Sequence, residues 1–198
     1  GAQRLKLAYL SALPPERSAI SDYSAELLPE LHRYYDIDVV VDQENVSDQW
    51  ILDHCKIINI QTFRDNNTDY DRVLYHFGNS QFLSYMFGLL LEVPGVVILH
   101  DSYLSGIGHY DDNSPASGCE GNQIILDYAK GIIVHSENSK KAVKEYCGKL
   151  YSDEWAVISL SEKPSTANSR NTGRKYVQTI ENYYTKKSGR ICTVPAHN

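Results

Sequence analysis

The chain has 198 residues, 42% of them hydrophobic and 22% charged, and a formal net charge of −6. That length supports one sizeable core, because a domain of ~150 residues buries ~70% of the surface its unfolded chain exposes. The acidic balance argues against a nucleic-acid partner, whose phosphates call for a basic stripe, and no apolar stretch approaches the ~20 residues of a membrane span. Arg4 and Lys6 are not followed by the apolar stretch of a secretory signal, so a soluble, cytoplasmic protein is expected.

Short apolar runs alternate with helical stretches along the chain. Leu5–Leu10, Ile37–Val41, Lys56–Ile60, Val73–Phe77, Val96–Leu99, Gly131–Val134 and Ala156–Leu160 predict strands. They are rich in Val and Ile and poor in charge, as strands buried on both faces should be. Between them, Tyr23, Leu27, Leu28 and Leu31 fall at helical spacing, as do residues of Leu83–Leu91 and Ile124–Ala129. Pro29 lies inside the first of these stretches, where it should kink the helix or limit its hydrogen bonding. A further helix over Asn138–Tyr146 starts behind Ser136, a suitable N-cap. Strands alternating with helices imply right-handed crossovers. The expected fold is therefore α/β, a doubly wound and mostly parallel sheet of Rossmann type, over residues 1–161.

Two segments break the rhythm. Gly106–Asn122 is polar, glycine-rich and aperiodic, and predicts a long loop. Residues 162–171 have the composition of a linker. Thr172–Lys187 then places Tyr176, Val177, Ile180, Tyr183 and Tyr184 on one face of an amphipathic helix, while residues 188–198 carry no usable signal. The cysteines, Cys55, Cys119, Cys147 and Cys192, form no C-x-x-C pair and no regular spacing with the seven histidines. Free thiols and no zinc site follow.

In open parallel sheets ligands bind beyond the carboxyl ends of the strands, which directs attention to four segments. They are Ser11–Asp22 after the first strand, His76–Ser80 after the fourth, His100–Ser102 after the fifth and His135–Glu137 after the sixth. A histidine next to a carboxylate at a strand end, His100-Asp101, can exchange hydrogen bonds with a sugar hydroxyl or a phosphate; Asp101 can equally cap the segment that follows. Standing past a strand end, this pair is expected to matter for function and little for folding. His76 can serve a ligand or pack beside Phe77, and Gly78-Asn79 is a turn dipeptide. His135-Ser136-Glu137 reads as structural, with Ser136 as the cap. No G-x-S-x-G elbow, G-x-G-x-x-G fingerprint or P-loop is present, which weakens hydrolase and free-standing nucleotide-binding readings.

The run from Leu10 to Ser24, LSALPPERSAISDYS, followed by Leu27-Leu-Pro-Glu-Leu31, resembles the opening of bacterial GT-B glycosyltransferases of the retaining family four. Tyr75-His-Phe-Gly-Asn-Ser80, Val96-Val-Ile-Leu-His-Asp101 with Tyr103-Leu-Ser105, and Ile132-Ile-Val-His-Ser-Glu137 match the same group in the same order. Thr172–Tyr184 is similar to the final helix of those enzymes, which crosses back onto the N-terminal domain. The resemblance implies the acceptor-side half of a two-domain enzyme that transfers a sugar from a nucleotide sugar. The donor is held mainly by a second domain, no cofactor or metal is bound, and surface-polysaccharide assembly is the usual setting. The acceptor would be a glycan or lipid-linked glycan, with peripheral membrane contact compatible. Carried over by position, Ser18, Ala19 and Ile20 approach the donor phosphates or the transferred sugar. His100 and Asp101 are the expected catalytic pair, and His76, Gly78, Asn79 and Tyr103 complete the substrate-binding set.

Departures from the family pattern are informative. Ala19 stands where the family commonly has glycine, which bears on close backbone approach or a positive φ. The segment after Ser105 is short, and 162–171 occupies the place of a donor domain, so this chain alone is expected to be inactive. The alternative is a non-catalytic glycan- or protein-binding module derived from such an enzyme. The reading frame beyond Leu160 in the parent sequence discriminates between the two.

Overall fold

The Val- and Ile-rich runs become the strands of a single parallel sheet. A computed structural model describes residues 3–101, 103–104, 119–147, 155–160 and 169–186. The strands are β1 (Leu5–Leu10), β2 (Tyr35–Val41), β3 (Lys56–Asn59), β4 (Arg72–Phe77), β5 (Val96–Leu99), β6 (Gly131–Val134) and β7 (Ala156–Val157). Their order is β3-β2-β1-β4-β5-β6-β7, with every pairing parallel. The order reverses between β1 and β4, which makes their carboxyl ends the topological switch point of a Rossmann-like, doubly wound fold.

Helices cover both faces. They are α1 (Ala19–Leu31), α2 (Gln49–His54), α3 (Ile60–Asp65), α4 (Leu83–Glu92), α5 (Cys119–Tyr128), α6 (Glu137–Cys147) and α7 (Ser169–Thr185). Strand side chains alternate between two cores, as a period of two requires. Leu7 and Tyr9 of β1 join α1, α2 and α7 on one face, with Leu27, Leu31, Ile51 and Ile180. Ala8 and Leu10 join α3, α4 and α5 on the other, with Phe63, Met86, Leu90 and Ile125.

Several boundaries differ from those the sequence predicts. α2 and α3, six residues each, are too short to show a helical period; they are set by caps, Asp48 Oδ1 accepting from Ile51 N at 3.0 Å and Asn59 Oδ1 from Thr62 N at 2.8 Å. β3 therefore ends at Asn59, and Ile60 opens α3. β7 stops at Val157, with Ile158 N making a last bond to β6, at Val134 O, at 2.9 Å. α5 begins at Cys119, inside the stretch expected as a loop, and α7 begins at Ser169, inside the expected linker. The remainder of that loop and linker, and residues 188–198, lie outside the described residues. α1 runs through Pro29 to Leu31; so near the helix end, the proline forfeits its own hydrogen bond and little more.

α7 lies across the α1 side of the sheet. Tyr176 and Ile180 are wholly buried, and the Tyr176 hydroxyl meets that of Tyr23 at 2.8 Å. The helix also ties down the amino edge of the sheet. Tyr183 Oη donates to Ile132 O at 2.9 Å and accepts from Ala156 N at 3.1 Å, and Tyr184 Oη accepts from Val73 N at 2.7 Å. Glu181 takes a two-pronged bond from Arg72, at 2.7 and 2.8 Å, and a third from Tyr35 Oη at 2.8 Å. Those donors hold its carboxyl below the usual range despite partial burial. The close approach of α7 depends on glycine at two places among the described residues. A Cβ on Gly131 would fall inside the Tyr183 ring, and one on Gly173 would stand 2.7 Å from Glu30 Cβ.

Candidate functional site

The carboxyl edge of the sheet gathers the segments that follow β1, β4, β5 and β6. Tyr9, near the end of β1, starts a buried hydrogen-bond chain. Its hydroxyl lies 2.8 Å from Ser24 Oγ and 3.1 Å from His76 Nδ1, Ser24 Oγ lies 2.9 Å from His76 Nδ1, and Ser11 Oγ lies 2.8 Å from Ser24 Oγ. Counting protons fixes the direction of the chain. Ser11 donates to Ala12 O at 2.8 Å, so Ser24 donates to Ser11, and His76 must supply the proton on its Nδ1. His76 Nε2 is then a bare acceptor, fully buried and without a partner among the described residues. His135 is fixed the same way. Its Nδ1 contacts Ile158 O at 2.8 Å, which can only accept, so Nε2 is again an unprotonated, unpartnered and buried acceptor.

His100 stands between them, its ring centroid 5.8 Å from that of His76 and 5.3 Å from that of His135. The Tyr23 ring packs edge-on or tilted against all three imidazoles at 5.6–6.0 Å. Successive strand ends thus set three histidines in a row beneath one tyrosine, which α7 holds through Tyr176. Burial, the largest influence on each, favours the neutral imidazole. It takes His76 well below its ordinary value, lowers His135, and brings His100 to about 4, with Asp101 pulling the other way. At neutral pH the row is uncharged. Among the described residues, no group of three or more His, Cys, Asp or Glu side chains is arranged to hold a metal ion.

A cleft of about 680 Å3 opens at the switch point. Pro15, Glu16 and Arg17 of the β1–α1 loop form one wall, Gln43 and Asn45 after β2 a second, and Asn79, Ser80 and Gln81 after β4 a third. Its size falls within the ~300–1,000 Å3 of small-molecule sites. Gln43 shapes it from behind: its Oε1 accepts from Leu13 N at 3.0 Å and its Nε2 donates to Leu13 O at 2.6 Å. That amide clamp pins the β1 loop across the end of β2.

The residues singled out from the sequence divide between cleft, rim and interior. Asn79 lines the cleft. Ser18 is the N-cap of α1, its Oγ accepting from Ser21 N at 3.2 Å. Ala19 is exposed beside it, and among the described residues no non-glycine residue has a positive φ, so alanine there brings no backbone strain. Ile20, Gly78 and Tyr103 are buried, Tyr103 edge-on to Phe77 at 5.9 Å. Asp101 is exposed and accepts from Ser139 Oγ at 3.2 Å, while Ser136 Oγ caps α6 by accepting from Ser139 N at 3.0 Å. His100 is only 6% exposed, although it stands just past the end of β5. The crossovers bring its imidazole inward against Tyr23.

Sequence reasoning missed Tyr9, Tyr23 and Ser24 and the cleft residues Gln43, Asn45 and Gln81; Pro15, Glu16, Arg17 and Ser80 fell inside the segments Ser11–Asp22 and His76–Ser80 but were given no role of their own. Tyr9 sits inside an apolar run and gives no local signal. Gln43 and Asn45 follow the second strand, and the strand-end rule applied to that strand would have found them. Among the described residues, no helix is long and apolar enough to cross a membrane. In comparisons with known proteins, no family model and no curated protein matches the chain.

Proposed function

We propose that this chain is the acceptor-side Rossmann domain of a nucleotide-sugar-dependent, retaining glycosyltransferase that works in glycan or surface-polysaccharide assembly at the cytoplasmic side. One observation carries the reading: the segments that resemble such enzymes, after β1, β4, β5 and β6, gather on one sheet edge, around the switch point where Rossmann folds bind ligands. In this reading a second Rossmann domain of the parent protein holds the nucleotide. The cleft presents the acceptor, a glycan or a lipid-linked glycan, and His100 and Asp101 face the transferred sugar. A neutral imidazole both donates and accepts, which suits a sugar hydroxyl better than a phosphate. Catalysis then rests on holding donor and acceptor together in one cleft, so this chain alone transfers nothing.

The packing of α7 on the α1 face also favours a second reading, a non-catalytic glycan- or protein-binding module, because the helix shares that core with α1 and the sheet. Transfer assays on the full-length parent separate the two. His100→Gln, which keeps polarity and most of the volume, should lower turnover at least tenfold with a melting temperature within a few degrees of the parent's. Unchanged turnover removes His100 from the site, and a parent frame without a second nucleotide-binding domain removes the enzyme reading.

A further inference from the structure

We propose that the switch-point cleft is a subsite for an uncharged, polyhydroxyl ligand, with the Glu16 carboxylate as the residue that reads its hydroxyls. The inference rests on the acceptor-side reading and sharpens it to a substrate class.

Some polar groups of the cleft are already engaged within the protein. The Gln43 amide is used on Leu13 and on Asn45 O, and Ser80 Oγ accepts from Phe82 N at 3.2 Å. The side chains of Glu16, Arg17 and Gln81 make no hydrogen bond or ion pair with the described protein, although all three line the cleft. Glu16 and Gln81 also border a smaller adjoining cavity of about 110 Å3, together with Asp42 and Phe82. A carboxylate, a guanidinium and a primary amide between them offer acceptors and donors at one spot, the complement of neighbouring hydroxyls that each donate and accept.

Charge and polarity narrow the ligand further. Partial burial and the like charge of Asp42 raise the Glu16 carboxyl, so the group lacks a donor that brings no negative charge. A hydroxyl supplies that donor. A phosphorylated sugar would set its own charge against both Glu16 and Asp42, with Arg17 the single cation among the described residues of the lining. An acyl chain would find, among the described residues of the main cleft wall, Pro15 as the one apolar residue.

Direct binding to the intact chain tests the assignment, read by amide chemical shifts at residues 43–45 and 79–81. The probes are neutral hexoses, N-acetylhexosamines and their disaccharides, the corresponding 6-phosphates, and calcium chloride. At least one neutral sugar should saturate the cleft and bind at least tenfold more tightly than its 6-phosphate. Glu16→Gln should weaken it at least tenfold with the melting temperature unchanged, and Arg17→Gln should weaken it less. No saturation by any neutral sugar overturns the assignment, as does tighter binding of a 6-phosphate or of calcium, or an unaltered affinity in Glu16→Gln. A winning 6-phosphate would leave the acceptor-side reading standing. A neutral sugar bound at Glu16 in a protein whose parent frame lacks a donor domain would do the reverse.

Discussion

Acidification should weaken this fold between pH 7 and pH 5, and the histidine row sets the size of the effect. His100 titrates at about 4 in the folded chain, against ~6.5 when unfolded. As pH falls the unfolded chain takes the proton first. The stabilisation held by the neutral ring is therefore complete above ~6.5 and is lost progressively toward pH 4. The gap corresponds to ~3 kcal/mol at full extent, of which ~2 kcal/mol is gone by pH 5. Relaxation and water penetration around the protonated ring trim the loss to ~1 kcal/mol. His76 and His135 move in the same direction and add to it.

Carboxylates do not confuse this window. Glu181, held low by Arg72 and Tyr35, gives up its contribution only below the ordinary carboxylate range, and Glu16, held high, opposes the histidines by favouring the fold as it protonates. Urea unfolding at pH 7 and pH 5, at fixed ionic strength, should show the unfolding free energy fall by at least ~1 kcal/mol. The fall should shrink in His100→Gln. An unfolding midpoint that stays put between the two pH values, or a fall of the same size in both His100→Gln and His135→Gln, would refute the reasoning.

Two further outcomes follow from the α7 contacts. Gly131→Ala drives a methyl into the Tyr183 ring and should destabilise by ~3 kcal/mol or more, seen as a melting temperature ~6–12 °C lower; a shift under ~2 °C would mean that Tyr183 has room to give. Ending the chain before Ser169 exposes the sites of Tyr176, Ile180 and Tyr183, each contributing ~1.5–3 kcal/mol through burial. That loss is comparable to a domain's whole stability, so the shortened chain should be insoluble or melt far below the intact one, and equal denaturant midpoints would show α7 to be dispensable.

The parallel sheet was legible because its strands are buried on both faces and so appear as unbroken apolar runs. The long amphipathic face of Tyr176, Ile180 and Tyr183 was legible for the complementary reason: 17 residues span several periods. α2 and α3 were not legible, since six residues hold fewer than two turns and only their Asp48 and Asn59 caps mark them. The start of α5 was hidden by Gly, Pro and Ser in the residues before it. At the site, strand-end position found His76, His100 and His135, but nothing local to those residues says that they meet. Their adjacency comes from the order β4-β5-β6, and their neutrality from burial beneath Tyr23, a residue spaced like any other on the apolar face of α1. Glu16 and Gln81 looked like ordinary polar loop residues, and only the geometry of the switch point brings them to one cleft.

The two edges of the sheet are built on opposite terms. At the carboxyl edge the fold keeps two bare imidazole acceptors, His76 Nε2 and His135 Nε2, out of water and unpaired, and each such group costs ~1–3 kcal/mol. A lone Rossmann sheet with a marginal stability of ~5–15 kcal/mol carries that cost only with support from elsewhere. α7 supplies it at the amino edge: Tyr183 and Tyr184 bind free strand-end backbone groups, and Glu181 closes a three-bond knot with Arg72 and Tyr35. The same helix reaches up through Tyr176 to Tyr23, the ring that covers the histidines. Stability and site are therefore coupled through one contact. Loosening α7 takes the Tyr176 hydroxyl from Tyr23, and a Tyr23 ring lifted from the histidines would let water reach the imidazole row and undo the burial that keeps it neutral.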